Sequence, residues 1–176
     1  MKYAWPWELS RSGVLNMNRR NISYIGRYNQ RKFYKRVDDK LITKQLALAN
    51  NIAVPDLIGV VHEQHKIQEI PAMVSDRTGF VIKPAKGSGG KGILVVTKVE
   101  NGRYYKPNGQ EVTPSEVDRH VSNVLSGLFS LGGKPDVAIV EGLIQFDPVF
   151  DGYSYEGVPD IRLIIFKGFP IMGMLR

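Results

Sequence analysis

Lysines and glycines are concentrated in one loop, and this combination suits the binding of phosphate groups. Two short apolar runs, residues 80–82 and 93–96, flank the loop, and Lys83 lies at its mouth. The loop itself contains Lys86, Gly87, Ser88, Gly89, Gly90, Lys91 and Gly92. Glycines let backbone N–H groups approach an anion closely, and lysines add compact positive charge. The stretch therefore predicts a strand–loop–strand hairpin that covers phosphates, with an unliganded Gly/Lys turn as the alternative.

A further lysine, Lys40, lies on a separate predicted element, near the start of a helix. Lys83 ends the strand that enters the glycine loop. Two ammonium groups fixed on different elements could bridge adjacent phosphates of a nucleotide, because each is a compact point charge. The pair therefore indicates a polyphosphate ligand.

The sequence VEGLI, residues 140–144, carries a predicted buried strand into a glycine. Backbone N–H and C=O groups exposed at such a junction could read the edge of an adenine ring, with Leu143 beneath the ring. The residues in question are Glu141, Gly142, Leu143 and Ile144. Strand-to-loop junctions are common in proteins, so a junction that binds nothing is the alternative.

Asp160 and Arg162 lie two residues apart on a predicted strand. Because side chains alternate along a strand, both point to the same face, which Arg176 on the returning strand is expected to join. The neighbouring residues are mainly Ile, Leu and Met. If they are buried among these residues, a carboxylate and a guanidinium need partners or a ligand. A cross-strand salt bridge is the alternative interpretation.

Two helices are predicted to position these residues. The first opens at Asp38 and runs to the asparagines at 50 and 51, with acidic residues in its first turn. The second covers residues 113–131 and opens with Thr113-Pro114-Ser115-Glu116, a capping box with proline at the first helical position. Gly132 and Gly133 are predicted to end it.

Strands and hairpins account for most of the remaining chain. A buried strand is predicted over residues 137–140, and Asn-Gly pairs at 101–102 and 108–109 predict a hairpin. Another hairpin is predicted near the end of the chain, with its turn at residues 167–170. Helices combined with antiparallel hairpins predict the α+β fold class.

Positive charge is concentrated in the first quarter of the chain. The net charge is +7, and residues 1–44 contain eleven Lys or Arg against three Asp or Glu. These basic residues are interleaved with Tyr24, Tyr28, Phe33 and Tyr34. Such a segment could bind nucleic acid, an anionic membrane surface, or phosphate and carboxylate ligands. A non-catalytic anion-binding protein is therefore the alternative function, although nothing else in the sequence favours nucleic acid. A solvated basic face with inward-packing rings is the structural alternative.

Composition sets broad limits. The 176 residues suit one domain, or a domain and part of another, and 43% hydrophobic content is enough for a core. No apolar stretch approaches the roughly 20 residues of a membrane span, and the first residues lack a signal-peptide pattern. Absent cysteine excludes disulfides and thiolate chemistry, and is compatible with the cytoplasmic location that we predict. His62 and His65 lack a third ligand, so no metal-binding residues are predicted.

The order of these motifs resembles the ATP-grasp superfamily. The resemblance is carried by Asp39-Lys40, Lys83-Pro84 before GSGGKG, VEGLI, Asp160-Ile161-Arg162, and a strand ending at Arg176. With GVLNMNRRN at residues 13–21, it is closest to the alpha-L-glutamate ligase-related or sugar-transfer-associated branch. The resemblance implies antiparallel sheets with flanking helices. It also implies a basic segment at 1–37, a first lobe at 38–140, and a hinge with an incomplete second lobe at 141–176.

The resemblance also implies roles for individual residues. Lys40 and Lys83 resemble the lysines that contact nucleotide phosphates, and residues 86–92 the flexible loop that closes over them. Residues 141–144 resemble the hinge that cradles adenine. Asp160 and Arg162 are similar to a pair near the ribose and phosphates or the reacting carboxylate. Arg176 is similar to an arginine that stabilises the phosphoryl intermediate.

The implied activity is that of an ATP-dependent carboxylate ligase. Such enzymes use Mg²⁺ and ATP to phosphorylate a carboxylate, and an amine or similar nucleophile then displaces phosphate. The implied partners are a carboxylate substrate and an amine acceptor, with an amino acid among the candidates. The superfamily's magnesium ligands lie beyond the arginine that matches Arg176. We therefore expect weak nucleotide binding and little ligation from these residues, and self-association through an exposed edge strand.

Overall fold

The computed structural model describes residues 3–145, 147, 149 and 160–175. Contacts within the chain divide it into two compact units, each of which is described by itself. The larger unit is Arg36–Gln145, and the smaller unit combines Met1–Lys35 with Phe146–Arg176. The domain boundaries expected at residues 37 and 140 stay predictions.

Helices and antiparallel strands make up both units, which confirms the α+β prediction. The α-helices are α1 (Pro6–Arg11), α2 (Met17–Arg20), α3 (Gly26–Tyr28), α4 (Lys35–Asp38), α5 (Lys40–Ala49), α6 (Ile70–Met73) and α7 (Pro114–Leu125). The strands are β1 (Leu57–Val61), β2 (Phe80–Pro84), β3 (Leu94–Val96), β4 (Lys98–Glu100), β5 (Arg103–Tyr105), β6 (Glu111–Val112), β7 (Ala138–Gly142), β8 (Ile161–Phe166) and β9 (Phe169–Leu175).

A four-stranded antiparallel sheet, in the order β1-β7-β2-β3, forms the centre of the larger unit. β7 pairs with β1 on one side and with β2 on the other. The predicted buried strand is thus confirmed, and it extends to Gly142. β2 and β3 pair antiparallel, with Phe80 opposite Val96, so the predicted hairpin around the glycine loop is also confirmed.

A smaller three-stranded sheet, β4-β5-β6, follows the glycine-loop hairpin. Asn101 and Gly102, which join β4 to β5, have φ angles of 50° and 74°. Positive φ at both central residues is the geometry of the tight hairpin turns that Asn-Gly favours. The hairpin predicted from these residues is confirmed.

The hydrophobic core lies between α7 and the four-stranded sheet. Apolar residues at intervals of three and four along α7 form one stripe, which is buried: Val117, Val121, Val124 and Leu125. They join a single cluster with the sheet residues Phe80, Ile82, Val96 and Val140. This packing holds β2 and β7, the two strands that carry candidate site residues, in a fixed register.

The helix predicted over residues 113–131 is shorter in the structure, because α7 ends at Leu125. Gly127 has a φ of 83°, and its N–H donates to the carbonyl of Val124 at 2.9 Å. A Cβ atom at Gly127 would lie 2.3 Å from the carbonyl oxygen of Lys134. A glycine in the left-handed conformation thus ends this helix before Gly132 is reached.

The Thr113 cap gives a prediction of stability. The Thr113 Oγ1 accepts from the Glu116 N–H at 3.3 Å, and Glu116 Oε2 accepts from the Thr113 N–H at 2.8 Å. Thr113→Ala should lower the free energy of unfolding by about 1 kcal/mol in urea denaturation, because the Glu116 N–H and the Glu116 carboxylate both lose their hydrogen bonds with the threonine hydroxyl. Ser115→Ala, an exposed change in the same turn, is the control and should leave the urea midpoint unchanged or slightly raised. Equal effects of the two changes would contradict the capping role.

In the smaller unit, β8 and β9 form the predicted hairpin. Lys167 and Gly168 at its turn have φ angles of 51° and 86°. Most large apolar side chains of both strands are exposed, among them Ile161, Leu163, Phe169 and Ile171. Self-association through these strands stays a prediction. Across the described residues, every helix is too short or too polar to cross a membrane.

Aromatic rings of the basic segment pack within the smaller unit. The Tyr28 ring meets Phe166 edge-on at a centroid distance of 5.0 Å. The Lys167 ammonium lies 5.1 Å from the centre of the Tyr28 ring, and the Arg27 guanidinium lies 5.6 Å from it. These contacts favour the interpretation in which the rings pack against their own protein. Binding of an anionic polymer by this segment stays a prediction.

Candidate functional site

The first turn of α5 places Lys40 beside residues 85–87, where the chain enters the glycine loop. The helix begins at Lys40, and its cap is Asp39 rather than the predicted Asp38, because the Asp39 carboxylate accepts from the Leu41 and Ile42 N–H groups. The Lys40 N–H donates to the carbonyl of Ala85 at 2.9 Å. Its ammonium donates to the carbonyls of Gly87 and Ala85. One lysine therefore ties a helix N-terminus to the loop by both its backbone and its side chain.

Sheet register brings Lys83 to Glu141. Val81 lies opposite Glu141 and Lys83 lies opposite Ile139, so Lys83 and Glu141 are diagonal neighbours on one face of the sheet. Lys83 Nζ lies 2.5 Å from Glu141 Oε2. The Glu141 side chain is only 4% exposed, whereas that of Lys83 is 23% exposed. The predicted phosphate-binding lysine is therefore paired with the side chain of a predicted adenine-contacting residue.

Lys44 completes this charged cluster, and sequence reasoning missed it. Its side chain is 5% exposed and its Nζ lies 2.9 Å from Glu141 Oε1. Lys44 also donates to the carbonyl of Pro55. The contact with Oε1 is electrostatic rather than a directed hydrogen bond, since this buried oxygen has no hydrogen-bond partner. A position four residues after Lys40, on the same face of α5, was the available signal.

The cluster lines a cavity of about 290 Å³. Its walls are Val37, Lys40, Thr43, Lys44, Val54, Pro55, Lys83 and Glu141. Three ammonium groups therefore face one carboxylate, beside a patch of apolar side chains. Burial lowers the pKa of Lys40, and the neighbouring Lys83 charge lowers it further, against the opposing effects of Asp136 and Asp39. An anion in the cavity would relieve this repulsion between lysines.

Asp136 anchors the first end of the glycine loop. Its Oδ2 accepts from the Lys86 N–H at 2.9 Å and from the Ser130 hydroxyl at 2.5 Å, while its Oδ1 accepts from the Val137 N–H. An isolated antiparallel β-bridge also joins Gly87 to Ser130. Ser88, Gly89, Gly90 and Lys91 follow as an exposed turn. Asp136 lies beyond the motifs and drew no attention in the sequence.

His120 and Phe129 fix the second end of the loop. His120 Nε2 lies 3.0 Å from the Gly92 carbonyl, and its ring faces Phe129 at a centroid distance of 5.6 Å. Gly92 has a φ of 74°, and a Cβ there would lie 2.5 Å from the Phe129 ring. The loop is thus held at both ends and exposed in its middle.

His120 makes this anchor sensitive to pH. Burial lowers the pKa of His120, against the raising effect of its contact with the Gly92 carbonyl. A lowered pKa means that the unfolded chain takes up the proton first. The free energy of unfolding should therefore be unaffected by His120 above about pH 6.5. It should fall as the pH drops from there towards the lowered pKa that His120 has in the folded protein.

Urea midpoints measured between pH 5 and 8 would test this dependence. His120→Gln keeps an N–H donor but cannot titrate, so its midpoints should decline less than those of the wild type as the pH falls. The difference between the two proteins cancels the contributions of all groups other than position 120. Parallel curves for the two proteins would contradict the assignment.

The predicted hinge lies partly inside the sheet. Glu141 and Gly142 are the last residues of β7, and the Gly142 N–H already donates to the carbonyl of Asp56 at 2.9 Å. Leu143 is partly buried, and Ile144 is 49% exposed. The contribution of these residues to adenine binding stays a prediction. The N–H of Gly142 already has its acceptor within the protein, the carbonyl of Asp56.

Asp160 and Arg162 lie in the smaller unit and pair with each other. Arg162 Nε donates to Asp160 Oδ2 at 2.8 Å, and both side chains are about half exposed. The salt bridge thus joins residues two positions apart at the start of β8 rather than residues on two paired strands. Asp160 Oδ1 is buried and has no hydrogen-bond partner. The prediction for Arg176 falls outside the described residues.

Within the described ranges, no three acidic or histidine side chains come close enough together to hold a metal ion. Glu141, the carboxylate among the described residues that line the cavity, is already engaged by two lysines. These residues therefore do not fit a protein-held Mg²⁺ site. A role for Mg²⁺ stays a prediction.

Comparison with known protein families matched residues 19–176 to the family described as sugar-transfer associated ATP-grasp. Searches of the curated proteins and of the solved structures found no match. The family match confirms the resemblance expected from the motifs, and it indicates ATP binding and ATP-dependent, ligase-type activity. With nearly all of its length matched, and with its lysines gathered beside a glycine-rich loop, this chain belongs to the sugar-transfer associated ATP-grasp family.

Proposed function

We propose that the larger unit binds ATP with its phosphates at Lys40 and Lys83 and with residues 86–92 as their cover. The observation that carries the proposal is the cavity beside the start of the glycine loop, which is lined by three lysines and one glutamate. A polyphosphate supplies the negative charge that this cluster lacks, and backbone N–H groups of a glycine loop suit its oxygens. The hinge at residues 141–144 is proposed to contact the base.

We further propose that the bound ATP serves a carboxylate ligase reaction. A carboxylate oxygen attacks the γ-phosphorus, the bond to the β-phosphate oxygen breaks, and an acyl phosphate and ADP result. An amine nitrogen then attacks the acyl carbon, phosphate leaves, and the nitrogen loses a proton to give an amide. Arg162 and Arg176 are the proposed groups that stabilise the charge on the transferred phosphoryl group, because guanidinium groups bind phosphate in a bidentate manner.

Isothermal titration of the 176-residue chain with ATP tests the proposal. We expect saturable binding that competes with inorganic triphosphate, since the cavity recognises linked phosphates. Titration with a single-stranded polynucleotide is the parallel measurement for the alternative, in which the basic segment binds anions without any enzyme activity. Polynucleotide binding that excess ATP does not reduce, together with no detectable binding of ATP itself, would overturn the proposal in favour of that alternative.

A further inference from the structure

We infer that Lys44 is a positioning residue: it neutralises buried Glu141, so that Lys83 can leave this carboxylate and turn towards an anionic ligand. The inference rests on the proposed ATP site. The two lysines approach different oxygens of the same carboxylate, Lys44 at Oε1 and Lys83 at Oε2. Glu141 thus has two counter-ions, and one of them is available for another partner.

Burial decides which lysine stays. The Lys44 side chain is 5% exposed and is also bound to the carbonyl of Pro55, so its ammonium is held on two sides. The Lys83 side chain is 23% exposed, and its ammonium lies at the cavity. An ionised carboxylate left alone in a protein interior is strongly destabilising. Lys83 is therefore free to move because Lys44 remains with Glu141.

Removing Lys44 should keep Lys83 bound to Glu141. Lys83 would then carry the whole charge of Glu141, and a phosphate group would have to compete with a buried carboxylate for the same ammonium. Lys44→Met should therefore weaken ATP binding about tenfold or more, the scale of one lost charge-assisted hydrogen bond. Adding Glu141→Gln removes the competing charge, so the double variant should recover the lost affinity.

The experiment uses the complete chain with two measurements on each protein. The first is the affinity for ATP in the wild type, Lys44→Met, and Lys44→Met/Glu141→Gln. The second is the rate at which an amine-reactive ester acylates Lys83, followed by mass spectrometry. Exposed Lys98, which pairs with Glu100 away from the cavity, is the reference within each sample. We expect both quantities to fall in Lys44→Met and to rise again in the double variant.

Two results would overturn the inference. One is an unchanged Lys83 acylation rate in Lys44→Met. The other is a double variant whose ATP affinity and Lys83 acylation rate stay as low as those of Lys44→Met, which is the result expected if Lys44 contacts the ligand directly or has a merely structural role. Should Lys44→Met fail to fold, Lys44→Gln takes its place with the same expected results, because its amide can still donate a hydrogen bond near the carbonyl of Pro55 but carries no charge for Glu141. Wild-type protein that binds no ATP would refute the proposed function, whereas the acylation rates would still test Lys44.

Discussion

Glu141→Leu should lower the free energy of unfolding by about 3–5 kcal/mol, the usual cost of breaking a buried ion pair from one side. The change leaves the Lys44 ammonium, 5% exposed, with the carbonyl of Pro55 but without its carboxylate. Lys83 loses the same partner, but its greater exposure lets it reach water. The expected loss is a large part of the 5–15 kcal/mol that typically stabilises a domain of this size.

The double variant Lys44→Met/Glu141→Leu is the matched control. It replaces the buried pair with apolar side chains of similar volume, an exchange that is often neutral or stabilising. Urea denaturation should therefore place the double variant close to the wild type and well above Glu141→Leu. If the double variant unfolds as readily as Glu141→Leu, lost packing rather than an unpaired charge explains the effect. Should Glu141→Leu not fold at all, recovery of a cooperative transition in the double variant would give the same answer.

Lys83→Met should weaken ATP binding by about 10- to 150-fold, if its ammonium makes the proposed charge-assisted contact, which contributes about 1.5–3 kcal/mol. The methionine keeps most of the length of the side chain on β2, so sheet packing should change little. Lys98→Met, on exposed β4, is the matched control and should bind ATP like the wild type. Isothermal titration measures all three proteins. Equal affinities for Lys83→Met and Lys98→Met would remove Lys83 from the site.

The binding of ATP at alkaline pH tests Lys40, which is proposed to contact the phosphates together with Lys83. Because burial and the Lys83 charge lower the pKa of Lys40, this ammonium loses its proton at a lower pH than an exposed lysine does. A bound anion favours the charged form, so ATP should bind with proton uptake and lose affinity as the pH rises through this lowered value. Lys40→Met should bind ATP more weakly at neutral pH and show less of this alkaline decline. An identical decline in both proteins would assign it to another group.

Elements made by neighbouring residues could be predicted from the sequence. The Asn101-Gly102 and Lys167-Gly168 turns and the Thr113 cap depend on contacts a few residues apart, and the hairpin around the glycine loop joins strands that are neighbours in the sequence. Local conformational preference and hydrogen bonding are sufficient there. The family resemblance has the same basis, because its motifs are short and occur in order. Lys40 and Lys83 could be proposed as partners since residue type and motif position agreed.

Contacts between distant segments depend on how the whole chain folds. The end of α7 at Leu125 depends on Gly127 packing against the backbone of Lys134, a contact that no helical pattern records. Asp136 and His120 hold the loop from segments that follow it in the sequence. Their roles come from packing and not from residue type.

The cluster of Lys44, Glu141 and Lys83 shows this division most clearly. The residue pattern alone predicts a loop rich in glycine and lysine, a helix that opens at Asp38 beside Lys40, and a buried strand over residues 137–140 that leads into Glu141. The pairing of β7 with β2 and the burial of α5 decided that one carboxylate lies between two ammonium groups. Register and burial depend on the whole core, and it is burial that gives these charges their large energies.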